Sequence, residues 1–309
     1  MTFKAPQPTI AMITDYGEKD GFPGIMKGIL YKTIHQAMQT LPTQQVMPPV
    51  VDITHQVEPF NIAEGAWVLN RCYGEFPENT IFICVVDPGV GKDTQNKLLL
   101  SWPERKQIFI GPDNGVFTPI IKAADGQLKA FAVTNTKLFR QSRQQAEDDW
   151  QADVSQTFHG RDIYAPVAGH MAYAMMTFMC EEFLLTVGER LDVVELVCLE
   201  TPEPRRETSK GKDALLGHIA HTDNFGNLTT NIPAEWLAHF SSAEVSVELP
   251  SHAHQWVGKK LNNYSEGKDA DDVFVVPASS GTLELALFQR NASAQLKAKT
   301  GDPVVIRMK

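Results

Sequence analysis

Several features are scarce in this 309-residue chain. No apolar run approaches the ~20 residues that cross a bilayer. The opening MTFKAPQPTIAMITDYG holds no stretch of the kind a secretory leader needs. Cysteine is rare: Cys72, Cys84, Cys180 and Cys198 lie beside apolar or aromatic residues, with no CxxC spacing. That pattern predicts buried free thiols in a reducing compartment and disfavours a disulfide framework. Basic charge is outweighed, 28 Lys and Arg against 37 Asp and Glu for a net charge of −9, which disfavours counterion-release binding to nucleic acid. Walker, GxGxxG, HExxH and HxxxH patterns are missing, so neither a nucleoside triphosphate nor a metal ion is indicated. The expectation is a cytoplasmic protein with no nucleic-acid, membrane or metal partner.

What is present is a globular composition, 43% hydrophobic and 21% charged, with ample apolar material for a core. The length suggests two domains. Over the first part of the chain, strand-like segments (9–14, 50–54, 80–86 and 107–110) alternate with helix-like ones (24–41, 61–73 and 165–184). The uninterrupted apolar run 80–86 has the pattern of a strand buried on both faces. This alternation predicts an N-terminal α/β domain over residues 1–199 with a mostly parallel sheet. Residues 124–151, with the polar run 141–145, read as a flexible excursion. Residues 200–213 (ETPEPRRETSKGKD) carry two prolines and many charges, the composition of a solvated linker. From 214 to 309, short strand-like runs at 215–222, 228–232, 244–249, 272–276, 283–288 and 303–308 predict a C-terminal β-barrel domain.

Each strand of the first domain hands over to a polar turn: Thr14-Asp15-Tyr16-Gly17, Asp52-Ile53-Thr54-His55, Asp87-Pro88-Gly89-Val90-Gly91 and Gly111-Pro112-Asp113-Asn114-Gly115. The carboxyl ends of parallel strands face a shared crevice in which ligands bind. One Asp after a strand is ordinarily a cap or an Asx-turn. Four in succession point to a carboxylate-lined site suited to a cationic or neutral, hydroxyl-bearing ligand.

Two readings stand for Thr157-Phe158-His159-Gly160-Arg161-Asp162, which precedes a helix. Asp162 caps the helix and pairs with Arg161, or His159 reaches the crevice as an acid, base or donor. Two also stand for Asp223-Asn224-Phe225-Gly226-Asn227: a hairpin turn, with Gly226-Asn227 supplying positive φ, or a ledge presenting Asp223, Asn227 and the Phe225 ring to a ligand. Ser279-Ser280-Gly281 is a similar polar turn. His218 and His221 are oddly spaced on one strand and point to opposite faces. His252 and His254 have no acidic or Cys neighbour, so neither pair indicates a metal.

Taken together, these segments resemble the S-adenosyl-L-methionine hydroxide adenosyltransferases, the hydrolase relatives of the fluorinating and chlorinating enzymes. The matching pieces are ITDYGEKDGFPGIMKGIL, DITHQVEPFNIAEGAWVL, VVDPGVG, IGPDNGVFT, TFHGRDIYAPVAGHMA, DNFGNLTTNI and SSGTLELAL. They run in the family's order through both domains. The resemblance implies an N-terminal α/β domain and a C-terminal β-barrel in a homotrimer. S-adenosylmethionine is the substrate, with no further cofactor, held between one subunit's N-terminal domain and a neighbour's C-terminal domain. It assigns Asp15 to the ribose hydroxyls, Asp223 and Asn227 to the amino-acid end of the ligand, and Phe225 to the adenine or sugar. Ser279 and Ser280 occupy the turn that contacts the methionine carboxylate.

The implied reaction is attack of water-derived hydroxide on ribose C5′, releasing adenosine and methionine. In the family an Asp, an Arg and a His do this work; Asp87 matches the first and His159 the last. The arginine of VVDPGVGxxR falls on Thr94, or on Asn96 with a two-residue insertion, beside Lys97. Lys97 is therefore the candidate cation, although Lys and Arg differ at a bidentate site. That departure motivates a second function, a nucleoside-binding protein without turnover. A third, halide transfer by the same displacement, needs a small halide pocket in place of the water-activating pair that Asp87 and His159 suggest.

Overall fold

The computed structural model describes residues 6–39, 46–92, 94–141, 153–209, 212–250, 255–269 and 272–309. The chain divides into two compact units, Met1–Leu199 and Glu200–Lys309.

The first unit runs β1 (Thr9–Thr14), α1 (Phe22–Met38), β2 (Val50–Thr54), α2 (Ile62–Cys72), β3 (Thr80–Val85), β4 (Lys97–Trp102) and β5 (Gln107–Pro112). It continues with α3 (Thr118–Ala123), β6 (Lys129–Ala132), α4 (Ala165–Met176), α5 (Cys180–Val187) and β7 (Arg190–Leu191). The seven strands form one sheet in the order β2-β1-β3-β5-β4-β6-β7. Because side chains alternate across a strand, each strand feeds two cores. Ile10, Met12, Ile81, Ile83, Ile108 and Ile110 pack under α1, α4 and α5. Ala11, Ile13, Phe82, Cys84, Phe109 and their neighbours pack under α2 and α3, with the Phe82 and Phe109 rings stacked at 5.1 Å. The Asn61 side chain caps α2 by accepting from Glu64 N–H at 3.0 Å.

Strands β2, β1, β3 and β5 are parallel. The edge built from β4, β6 and β7 is antiparallel and has no counterpart in the sequence reading. A four-residue turn joins β4 to β5, with Lys106 N–H donating to Pro103 O and Lys106 at φ 50°. A connection that short permits only antiparallel pairing. The excursion expected over 124–151 therefore contains β6 and a 3-10 turn, Thr136–Leu138; residues 142–151 lie outside the described set.

The long helix expected over 165–184 is two pieces, α4 and α5, and a single π-helical turn (Gly160–Tyr164) leads into the first. Between α4 and α5, Met179 N–H donates to Ala174 O and Phe178 N–H to Met175 O, with Phe178 at φ 60°. That is a Schellman end, whose left-handed position is usually glycine. Of the four thiols, all free, only Cys84 is fully buried and Cys198 is exposed, correcting the expectation of four buried thiols.

The second unit comprises β8 (Arg205–Ser209), β9 (Lys212–Thr222), β10 (Leu228–Pro233), β11 (Glu244–Glu248), β12 (Gln255–Lys260), β13 (Phe274–Pro277), β14 (Thr282–Ala286), α6 (Ala292–Leu296) and β15 (Pro303–Met308). The pairing of β9 with β10 closes seven of these strands into a barrel, β10-β14-β13-β12-β11-β15-β9. Leu215, Ile219, Val245, Val275, Leu285 and Ile306 fill it. Strand β8 lies outside the ring on β9, so part of the stretch expected as a solvated linker is paired strand. Strand β12 was not evident in the sequence, and His252 and His254 fall outside the described residues. Among the described residues no helix is long and apolar enough to cross a membrane.

Candidate active site

The strand order makes β1 and β3 special. From β1 the chain passes through α1 to β2 on one side, then through α2 to β3 on the other, with α1 and α2 on opposite faces of the sheet. Such a reversal opens a crevice at the carboxyl ends of the two flanking strands. Asp15 follows β1, and Asp87 lies just beyond β3. The other two strand-end aspartates are committed elsewhere. Asp52 binds Lys27 Nζ at 2.8 Å and His55 Nε2 at 3.0 Å. Burial pushes its pKa up, but these two partners together hold it below the ordinary carboxylate range. Asp113 accepts Val197 N–H at 2.9 Å, and Asn114 donates to Val86 O at 2.8 Å, so the GPDNG turn is tied into the unit's own framework.

Asp15 is half-buried and accepts Phe60 N–H at 2.9 Å. Burial raises its pKa, and the charge of Asp87 adds to the effect. The same Asp87 charge, secondary to burial, pushes up Tyr16 and Tyr164 and acts on His159. The Asp87 charge is thus felt by groups that follow β1 and by groups of the π-helical turn. Asp87 Oδ1 accepts Gly89 N–H and Gln95 Nε2, each at 3.1 Å. Gly89 has no side chain where Gln95 comes in, since a Cβ there would stand 2.3 Å from Gln95 Oε1.

His159 is 5% exposed and starts the π-helical turn. Burial and then Lys97 push its pKa down from the usual 6.5, against the pull of Asp87 and Asp162. Its ring is therefore neutral near pH 7 and can accept a proton. Gly160 lets this turn approach β1, because a Cβ there would meet Tyr16 Oη at 2.6 Å. Asp162 is fully buried and accepts both Arg161 Nε (2.6 Å) and Arg161 Nη2 (2.8 Å), as well as Ser155 N–H (2.9 Å). Arg140 Nε lies 3.0 Å away as an ion pair. Asp162 therefore pairs with Arg161 as expected but caps no helix. Neither the π-helical turn nor α4 has a side-chain cap hydrogen bond, and Asp162 is taken up by Arg161 and Ser155 instead.

Gln95, Asn96, Lys97 and His159 line a cavity of about 460 Å³. Thr94 is exposed and is not among its lining residues. Arg140 and Arg161 are engaged with carboxylates, and Lys97 is the cation that acts on His159 among the described residues.

In the second unit, Asp223 accepts Phe225 N–H at 2.9 Å, Asn227 N–H at 2.8 Å and Asn227 Nδ2 at 2.9 Å. Gly226 takes φ 85° against Asn291. The hairpin turn is present, with positive φ at Gly226 but not at Asn227 as expected, and the turn also presents Phe225, 76% exposed, to solvent. Ser279 is exposed, and Ser280 Oγ shares a hydrogen bond with Thr282 Oγ1 at 2.8 Å.

Sequence reasoning missed Glu284, a buried carboxylate on β14 that binds Tyr264 Oη at 2.5 Å and Thr229 Oγ1 at 3.2 Å. Burial and then Asp223 raise its pKa. It sits in the apolar run LELAL, where a lone Glu on a strand gives no sign of its partners. Among the described residues no group of three or more His, Cys, Asp or Glu is placed to hold a metal ion.

Residues 10–178 match the family model of the SAM hydroxide adenosyltransferase N-terminal domain, and residues 217–305 that of the C-terminal domain. The chain belongs to the SAM hydroxide adenosyltransferase family. It is 33% identical over 225 residues, 72% of each chain, to a protein of Salinispora tropica named (R)-S-adenosyl-L-methionine hydrolase. A protein of the same name from Methanocaldococcus jannaschii is 27% identical over 303 residues, covering 96% of this chain and 95% of that one. The crystal structure of a conserved protein from Thermotoga maritima matches with a TM-score of 0.76 at 29% identity, over 96% of this chain and all of that one.

Proposed function

We propose that the protein hydrolyses S-adenosyl-L-methionine to adenosine and L-methionine. The observation that supports this reading is that Lys97 and His159 line one cavity, with the Asp87 charge acting on both His159 and Asp15. A water oxygen bonds to ribose C5′ as the C5′–S bond breaks, and the electron pair of that bond goes to sulfur, leaving the neutral thioether of methionine. One water proton must leave. Free water has a pKa of ~15.7, so the site needs an acceptor; the Asp87 carboxylate and the neutral His159 ring are the two at hand. Lys97 supplies positive charge for the nascent hydroxide. Attack of an anion on a sulfonium cancels charge in the transition state, which a water-poor crevice favours. Asp15 accepts hydrogen bonds from the ribose hydroxyls. Asp223, Asn227, Phe225, Ser279 and Ser280 hold the rest of the substrate, contributed by a neighbouring subunit of a cytoplasmic homotrimer.

Incubation of the purified protein with S-adenosylmethionine, with products separated by chromatography, tests the reaction. Adenosine is expected, with turnover reduced about 100-fold or more in Asp87→Asn and in His159→Gln. No adenosine, or full activity in both variants, sinks the proposal. A second reading is favoured by one observation: Thr94, on which the family's arginine falls, is exposed and is not itself among the cavity-lining residues. It is a nucleoside-binding protein without turnover, and calorimetric binding of adenosine with no product formation would establish it. Light scattering at three chain masses is expected for the trimer.

A further inference from the structure

The segment after β2 is bonded to the end of β1 more heavily than a plain turn requires. Gly17 N–H donates to His55 O at 2.7 Å, Val57 N–H to Thr14 O at 3.4 Å and Phe60 N–H to Asp15 Oδ2 at 2.9 Å. Beneath these, a side-chain line runs from α1 to the Asp15 turn. Lys27 Nζ is 2.8 Å from Asp52 Oδ2, and Asp52 Oδ1 is 3.0 Å from His55 Nε2. His55 Nδ1 is 2.9 Å from Thr14 Oγ1, and Tyr16 N–H donates to that oxygen at 3.3 Å. His55 and Thr14 are both buried.

The chemistry of the end group gives the line one direction. A carboxylate only accepts, so His55 carries a hydrogen on Nε2, and in the neutral ring Nδ1 is then an acceptor. The Thr14 hydroxyl then donates to the ring and keeps its lone pairs for Tyr16 N–H. Both residues flanking Asp15 along the chain are thereby fixed, and Phe60 N–H fixes its carboxylate.

We propose that Thr14 and His55, anchored by Asp52 and Lys27, are positioning residues that aim the Asp15 carboxylate at the ribose 2′- and 3′-hydroxyls. This rests on the reading of Asp15 as the ribose acceptor. The line touches no reacting atom, so its effect belongs to recognition of the diol rather than to the displacement step.

The test compares calorimetric Kd values for adenosine and 2′-deoxyadenosine in wild type, Asp15→Asn, Thr14→Val and Thr14→Ser, with thermal melting of each. Valine matches threonine in shape and suits a strand, so Thr14→Val removes the hydroxyl with little change in volume. Wild type is expected to prefer adenosine about tenfold, the scale of one hydrogen bond to a charged group. Asp15→Asn and Thr14→Val should both bring that ratio close to one, and Thr14→Ser should restore it. His55→Gln breaks the line from its other side and reads the same ratio should Thr14→Val fail to fold. A lower melting temperature in Thr14→Val with the ratio unchanged makes the line merely structural and overturns the inference. If Asp15→Asn flattens the ratio while Thr14→Val and His55→Gln do not, the inference alone fails. If wild type shows no preference, or Asp15→Asn leaves it intact, the reading of Asp15 fails and the inference falls with it.

Discussion

A carboxylate does its work through the donors that hold it, and the two at this crevice are held differently. Asp15 accepts a backbone N–H from a neighbouring loop, whereas Asp87 accepts the neutral amide of Gln95 as well as the N–H of Gly89 in its own turn. An amide orients the carboxylate without adding a charge to it. Gln95→Leu should therefore lower kcat about tenfold while KM changes little, since one orienting hydrogen bond near the reacting atoms is lost. Steady-state kinetics decide this, and a change confined to KM would count against it. Asp87 and His159 were legible because each sits in a compact motif after a strand or before a helix. Gln95 was not, because its role depends on how the loop after Gly91 folds back. Nor was the partnership of Thr14 with His55, residues 41 positions apart, since no local pattern encodes such a meeting.

At the scale of elements, what could be read was what repeats. The strands at 9–14, 50–54 and 80–86 and the helices at 24–41 and 61–73 carry unbroken periodicity and come out within a few residues of the expected bounds. Strands β4 and β12 adjoin polar loops that blurred their outline, and β6 is only four residues long. The break between α4 and α5 gave no warning because Phe178 takes the left-handed position where glycine is customary. A β-carbon there costs ~1–2 kcal/mol, and the ring is 60% exposed, so it returns little by burial. Phe178→Gly is thus expected to stabilise the protein by about 1 kcal/mol. A fall in denaturant midpoint would show instead that the ring's contacts outweigh the backbone strain.

For the molecule as a whole, stability should depend on pH in a definite sense. Burial pushes His159, His170 and His218 below the ordinary 6.5. Each therefore takes up protons more readily in the unfolded chain than in the folded one. Linkage makes stability fall as pH drops below 6.5 and continue to fall until the folded-state values are reached. Asp15 and Glu284 are raised by burial from 3.8 and 4.5. Their contribution is present at lower pH and is lost as pH rises through the folded-state values, so it opposes that of the histidines. The melting temperature is expected to drop by a few degrees, on the order of 2–4 °C, between pH 7.5 and pH 5.5. Replacing His170 with Gln should flatten that slope, and an unchanged slope would remove His170 from the account.

Ring closure has a consequence for the company this protein keeps with itself. Seven barrel strands satisfy one another, so the outer flank of β8 is the place where a stray chain could add to that sheet. That flank carries exposed Arg205, Arg206 and Glu207, a charged fringe of the kind that turns away fibril-like stacking. Trimming β8 would hand that duty to the side of β9 that it covers, where Ala214, Leu215 and Leu216 are more inviting to another β-strand.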